Sequence, residues 1–186
     1  FRDEFDVVVD NLWLPDVFGY SAALPQILKK SGIDFFLTQK LSWSQFNEFP
    51  HQTFHWRGID GTEILTHFPP ENTYNSELDT EFLLPAQNGF KEKDKLDEFI
   101  SLFGVGDGGG GPKPENIELG MRMENLENSP RVHFDTAKNF FHRLEKEKDS
   151  LDTWVGELYL ELHRGTLTTH GLVKKQNRKL EWKLRA

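Results

Sequence analysis

The chain has 186 residues, a formal net charge of −8 and no cysteine, and 13% of its residues are aromatic. This length allows one domain with a substantial core, or part of a larger domain, and the acidic charge excludes nucleic acid as an expected partner. Without cysteine there are neither disulfides nor thiolate zinc sites, and no apolar run approaches the ~20 residues that cross a bilayer. We therefore expect no membrane partner and a cytoplasmic location.

The amino-terminal segment has the pattern of a strand, a loop, a helix and a second strand. Residues 5–14 are rich in β-branched and large apolar side chains, which predicts a strand. Ser21 can cap a helix that Gly32 ends, and residues 33–38 predict the next strand. Asp16 then lies in the loop at the carboxyl end of the first strand, where parallel α/β folds bind ligands.

The middle of the chain predicts a hairpin, a loop and a helix. Residues 54–59 and 63–68 flank Asp60-Gly61, which is a strong turn signal between two strands. Residues 71–90 are polar and mixed, which predicts a surface loop. The apolar residues of 91–103 recur at helical spacing, which predicts a helix.

The rest of the chain predicts further helices. A glycine-rich run at 104–112 is too flexible for a regular element, and a helix is expected to follow from Pro114. Asp135 or Thr136 can cap another helix, and the chain is basic and helix-prone from Lys174 onward. Alternating helices and strands with short connections predict an α/β fold with a partly parallel sheet.

The glycine run invites a nucleotide-binding interpretation that its context disfavours. Gly104, Gly106 and Gly109 match a GxGxxG pattern, but a predicted helix rather than a strand precedes them. Pro112 stands where a phosphate-binding loop requires lysine. The run leaves Asp107 on a loop that can approach a ligand closely, and a solvated turn aspartate is the alternative.

Two further patterns have structural and functional interpretations. His133-Phe-Asp135 has the spacing of a metal-binding pair, although Asp135 is better explained as a helix cap. Glu157 and Glu161, which lead to His163, are either paired carboxylates or one edge of a strand or helix.

Asp16 and Asp107 are the two loop carboxylates that stand among aromatic residues. Two acids that flank an aromatic cleft are the groups that glycoside hydrolysis requires. A carbohydrate-binding domain without catalysis is the alternative, because aromatic side chains also stack on sugars.

Four segments resemble the family 38 glycoside hydrolases, the class II α-mannosidases, and most closely their cytosolic and bacterial branch. They are residues 12–43, 53–76, 102–112 and 156–171, and they include the specific motifs WLPDVFGY and GDGGGGP. The resemblance implies part of a seven-stranded (β/α) barrel with mostly parallel strands that leads into a helical bundle. Residues 1–150 would belong to the barrel, and 151–186 would end it and begin the bundle.

The resemblance also implies a retaining α-mannosidase that acts on mannose-containing oligosaccharides through a covalent aspartyl-glycosyl intermediate. By the match of motifs, Asp16 is both the nucleophile and a zinc ligand, and Asp107 is the general acid/base. Phe18 matches an aromatic residue that faces the sugar, Lys40 a basic residue near the nucleophile, and Tyr74 a tyrosine of the same pocket.

The other zinc ligands of the family lie in segments that do not match this chain. A His-x-Asp pair would precede Phe1, and a further histidine would follow Ala186. Since zinc sites need about three protein ligands, we expect this chain alone to bind zinc poorly and to be inactive. The resemblance allows a homo-oligomer for the intact protein.

Overall fold

The computed structural model describes residues 2–167 and 169–185. Five strands form one mixed sheet in the spatial order β1-β2-β4-β3-β5. Their bounds are β1 Asn11–Trp13, β2 Phe35–Leu37, β3 Thr53–Arg57, β4 Glu63–His67 and β5 Thr153–Val155. The predicted α/β class with a mostly parallel sheet is confirmed in this part of the chain.

The strand directions place three carboxyl ends at the same edge of the sheet. β1 pairs with β2 and β2 with β4 in parallel, while β3 runs antiparallel to β4 and parallel to β5. The predicted hairpin is confirmed, because β3 and β4 pair directly through the turn that contains Gly61, at φ +86°. The loops that follow β1, β2 and β4 therefore leave the sheet on one side.

The described part of the chain also contains six α-helices. They are α1 Arg2–Phe5, α2 Leu24–Lys30, α3 Thr80–Gly89, α4 Pro114–Arg122, α5 Ala137–Leu144 and α6 Gly171–Arg185. Short 3₁₀ turns cover Lys40–Trp43, Glu145–Ser150 and Arg164–Leu167. The helices predicted before Gly32, from Pro114, after Thr136 and near the carboxyl end are confirmed. No helix in the described ranges is long and apolar enough to cross a bilayer.

The first predicted strand is much shorter than its sequence pattern. Of residues 5–14 only Asn11–Trp13 pair with β2, and Phe5 ends α1. Asp6 has a left-handed φ of 51°, which breaks the extended backbone, and the valines 7–9 are exposed. β-branched side chains favour a strand only where a neighbouring strand and a core receive them.

The predicted loop over residues 71–90 is wrong in its second half, which contains α3. The Asp79 carboxylate accepts hydrogen bonds from the backbone N–H of Glu81 and Phe82, at 3.0 and 3.1 Å, and so caps the helix. Pro85 within the helix and Gly89 at its end are residues that disfavour a helix, so the sequence pattern did not predict it. Asp79 at the N-cap position was the sequence signal that could have predicted α3.

The predicted helix over residues 91–103 is also wrong, because this segment forms turns and irregular structure. Its apolar residues pack into the core, and helical hydrogen bonding is limited to isolated turns such as the bond from Leu96 N to Glu92 O at 2.9 Å. Leu96 and Leu102 are buried, Ser76 N donates to Leu102 O at 2.8 Å, and Ile100 N donates to His67 Nε2 at 3.4 Å. Tertiary contacts thus override the helical spacing.

The two faces of the sheet bury two hydrophobic clusters. Along β2 the side chains alternate, so that Phe36 enters one cluster while Phe35 and Leu37 enter the other. The first cluster also contains Trp56 and the second contains Phe141 from α5. The sheet is thereby fixed from both sides, which holds the strand ends in place.

Candidate active site

Three of the predicted site residues lie just beyond the carboxyl ends of parallel strands. Asp16 follows β1, Lys40 follows β2 and Tyr74 follows β4. Because these strands run in the same direction, the loops that hold the three side chains emerge at one edge of the sheet.

Lys40 is a buried cation whose charge is paired with Asp16. Its Nζ lies 2.5 Å from Asp16 Oδ1, and the lysine is only 4% exposed. The same Nζ lies 3.3 Å from the centroid of the Trp43 ring and 5.4 Å from that of Phe18. A buried charge requires such compensation, here a carboxylate and two aromatic faces.

Tyr74 contacts Asp107, the predicted general acid/base. Its hydroxyl donates to Asp107 Oδ1 at 3.4 Å. Burial raises the pKa of Tyr74, and the negative charges of Asp16 and Asp107 raise that pKa further. The tyrosine therefore stays protonated at neutral pH and can donate to Asp107.

The glycine-rich run brings Asp107 to this place by close approach. A Cβ built on Gly106 would lie 2.6 Å from Asn75 Nδ2 and 2.9 Å from Tyr74 Cε2. Any larger residue at 106 would therefore have to displace these side chains. The glycine places the next residue, Asp107, within hydrogen-bond reach of Tyr74.

Two side chains that the sequence analysis missed stabilise the site. The Trp43 ring covers the Lys40 ammonium. The sequence signal that could have predicted this contact is an aromatic residue three positions after the lysine. The hydroxyl of Tyr20, the last residue of WLPDVFGY, lies 2.7 Å from Leu14 O and 2.6 Å from Thr38 Oγ1. These contacts fix the chain just before Asp16. Burial raises the pKa of Tyr20, so this phenol is also neutral.

The structure thus brings all five predicted site residues into one region, although it does not assemble a metal site. Among residues 2–167 and 169–185, no three His, Cys, Asp or Glu side chains could share one ion. Asp16 supplies a single carboxylate, and one of its oxygens already contacts Lys40. The described residues therefore do not fit zinc by themselves, because such a site needs about three ligands.

The other candidate patterns have structural roles. Thr136 rather than Asp135 caps α5, since Thr136 Oγ1 accepts from Asn139 N at 3.2 Å. The Asp135 carboxylate pairs with Arg143 Nη1 at 2.5 Å, and this contact lowers its pKa to about 2. Of the two caps that the sequence offers, Thr136 is therefore confirmed, and the interpretation of Asp135 as the cap is wrong.

Two carboxylates at one edge of a mainly parallel sheet, with aromatic rings beside them, are typical of glycoside hydrolases. The profile described as "Glycosyl hydrolases family 38 N-terminal domain" matches residues 1–157. The chain belongs to this family.

Curated relatives align with almost the whole chain. Alpha-mannosidase G of Dictyostelium discoideum is 46% identical over 186 residues, which are 100% of this chain and 17% of the relative. Human Alpha-mannosidase 2C1 is 46% identical over 181 residues, 97% of this chain and 17% of the relative. Alpha-mannosidase of Saccharomyces cerevisiae is 42% identical over 193 residues, 99% of this chain and 18% of the relative. The chain thus spans less than a fifth of the length of these proteins.

A solved structure supports the fold independently. The crystal structure of an alpha-mannosidase from Enterococcus faecalis V583 superposes with a TM-score of 0.58 at 17% identity, covering 84% of this chain and 19% of that one. At this identity the similarity concerns the fold alone.

Proposed function

We propose that the protein carrying this chain is a retaining α-mannosidase that acts on mannose-containing oligosaccharides, with Asp16 as nucleophile and Asp107 as general acid/base. One observation carries the proposal most: Asp16 pairs with the buried Lys40 at the same edge of the sheet at which Tyr74 donates to Asp107. Family membership and relatives named alpha-mannosidase support the substrate class.

The proposed reaction has two steps that balance in atoms and protons. In the first, an Asp16 oxygen bonds to the anomeric carbon while the bond to the leaving group breaks and Asp107 gives its proton to the leaving oxygen. In the second, Asp107 takes a proton from water, the water oxygen bonds to the anomeric carbon, and Asp16 is released. The Lys40 ammonium holds the nucleophile in place, and Phe18 presents an aromatic ring beside it.

The zinc ion, the barrel and the helical bundle are part of this proposal. Asp16 is the one ligand that the family resemblance assigns to the described residues, so the others must come from elsewhere in the protein. Three parallel strand ends at one edge of the sheet and the likeness in fold support a barrel. The cytoplasmic location, a homo-oligomer and the inactivity of the isolated chain stay predictions.

Kinetics of two aspartate variants of the intact protein test the proposal. Asp16→Ala should abolish hydrolysis of every α-mannoside, since the nucleophile is lost. Asp107→Asn should lower kcat/KM by about 10²–10⁴-fold for an oligosaccharide. It should lower this ratio far less for a dinitrophenyl α-mannoside, whose leaving group departs without a proton. Initial rates on both substrates provide the comparison.

Asp149→Asn is the matched control, because this exposed carboxylate makes no described hydrogen bond or ion pair. Its rates should equal those of the unmodified protein. Undiminished hydrolysis by Asp16→Ala would contradict the proposal. Sugar affinity without any turnover in the unmodified protein would support the carbohydrate-binding alternative.

A further inference from the structure

The segment formed by residues 158–163 runs beside the site, just beyond residues 1–157 that match the family profile. Leu158 and Leu160 are fully buried, Leu162 packs against the same cluster, and Glu161 lies between these leucines with its carboxylate bound to residues 46–47. Its start is fixed by two backbone hydrogen bonds with Tyr20, at 2.8 and 3.0 Å. The start of the 158–163 segment is therefore tied to Tyr20, and its leucines are anchored in the core.

The Glu161 carboxylate binds the loop that follows Trp43. One oxygen accepts from the backbone N–H of Phe46 at 3.1 Å and of Asn47 at 2.7 Å, and the other accepts from Asn47 Nδ2 at 2.5 Å. The hydrogen bonds from Asn47 are the main cause that lowers the pKa of Glu161. An anionic acceptor at neutral pH thus holds residues 46–47.

Backbone contacts extend this connection to the end of the 3₁₀ turn that contains Lys40. Gln45 N donates to Glu161 O at 3.3 Å, and Glu161 N donates to Ser44 Oγ at 3.4 Å. Each of residues 44–47 therefore makes a hydrogen bond with Glu161. Trp43 precedes them directly, and its side chain is 49% exposed although it covers the Lys40 ammonium. Since much of the ring faces solvent, its position depends on this backbone.

The same segment also contacts the second aromatic wall around Lys40. The rings of His163 and Phe18 lie 5.2 Å apart in an edge-to-face arrangement at 62°. His163 adopts a left-handed φ of 50°, a conformation that costs energy for a side chain with a Cβ. Residues 158–163 thus contact one of the two rings that flank the lysine, Phe18, and the residues that directly follow the other, Trp43.

We propose that Glu161 is a positioning residue, which fixes residues 44–47 so that Trp43 holds the Lys40 ammonium against Asp16. This inference rests on the proposed function, in which Asp16 is the reacting carboxylate. Glu161 touches neither Asp16 nor Lys40 in the described contacts, so its effect on the reaction passes through Trp43.

A double-mutant cycle between Glu161 and Trp43 in the intact protein tests the inference. Glu161→Ala should lower kcat by about 10–100-fold, the cost of a misplaced catalytic group, while KM changes little. Glu161→Gln should retain more activity, because its carbonyl still accepts from the two backbone N–H groups. Trp43→Ala should show a similar loss, and the double variant should be no slower than Trp43→Ala alone.

Glu157→Ala, directly before the segment, is the matched control, since its exposed carboxylate makes no hydrogen bond or ion pair among the described residues. It should leave kcat unchanged. Equal rates for Glu161→Ala and Glu157→Ala would overturn the inference. Losses that multiply in the double variant would also overturn it, because they indicate that Glu161 and Trp43 act independently of each other. If the unmodified protein has no α-mannosidase activity, the proposed function fails first, and the inference fails with it.

Discussion

Two buried basic side chains at the carboxyl ends of the strands are stabilised in opposite ways. The buried Lys40 is compensated by a partner, since Asp16 Oδ1 lies 2.5 Å from its Nζ. His67 is fully buried, and burial lowers its pKa to about 3. Its Nε2 accepts from Ile100 N at 3.4 Å, so its Nδ1 carries the proton and donates to Thr53 Oγ1 at 2.8 Å. This neutral imidazole is a structural group.

The neutral state of His67 predicts a pH-dependent stability. Between the ordinary pKa of ~6.5 and the folded value of about 3, the unfolded chain binds more protons than the folded one, so stability falls as pH decreases. From pH 7.5 to 5.0 this group should remove about 2 kcal/mol from the free energy of unfolding. Urea denaturation of the intact protein at both pH values measures the change.

His67→Gln is the control for this prediction. It should be less stable at pH 7.5, because it repacks the buried site, but it should lack this share of the pH dependence. The other histidines are unchanged, so the difference between the two proteins isolates His67. An equal loss of stability in both proteins between the two pH values would show that His67 is not the cause.

Single residues of the site could be predicted where a motif surrounds them. Asp16 was predicted because a strand pattern and a helix cap flank it, and Asp107 because glycines surround it. Trp43 and Glu161 could not be predicted as partners. Their connection runs through contacts between residues more than 110 positions apart, which local patterns do not encode.

Elements with strong local signals were predicted well. The Asp60-Gly61 turn fixed the hairpin of β3 and β4, and helical spacing with a capping threonine fixed α5. Within residues 71–90 a loop was predicted where α3 lies, because the internal proline argues against a helix. For residues 91–103 a helix was predicted where the chain is irregular, because the apolar residues that pack into the core happen to have helical spacing. β5 was missed because three residues are too few for a pattern.

The glycine-rich run predicts a difference between two neighbouring substitutions. Gly106→Ala would introduce a methyl group against Tyr74 and Asn75, whose side chains must move away from it. Tyr74 would then lose its hydrogen bond to Asp107, and kcat/KM should fall by about tenfold, the equivalent of ~1.4 kcal/mol. Steady-state kinetics and thermal melts of the intact protein provide the measurement.

Gly111→Ala is the matched control, since nothing lies within 4 Å of a Cβ at that position. It should leave both the rate and the melting temperature close to those of the unmodified protein. The melting temperature of Gly106→Ala should also change little, because side chains rather than backbone must move. Equal rates for the two variants would mean that the position of Tyr74 does not matter for the reaction.

At the scale of the molecule, the sheet determines where chemistry can occur. Three parallel strands end at one edge, and their loops bring Asp16, Lys40 and Tyr74 together before the glycine run adds Asp107. Alternating helix and strand patterns were sufficient to predict this α/β arrangement. A metal site could not be derived in the same way, because the described residues supply too few ligands.

The central claim is that Asp16 bonds to the sugar, and trapping that bond tests it most directly. A fluorinated mannosyl fluoride forms the glycosyl-enzyme intermediate faster than water can cleave it, because the fluorine destabilises the oxocarbenium-like transition states. We predict that digestion and mass spectrometry of the treated intact protein find one fluorinated hexose on the peptide that contains Asp16. An active protein whose label lies on Asp107 or on another carboxylate would contradict the account.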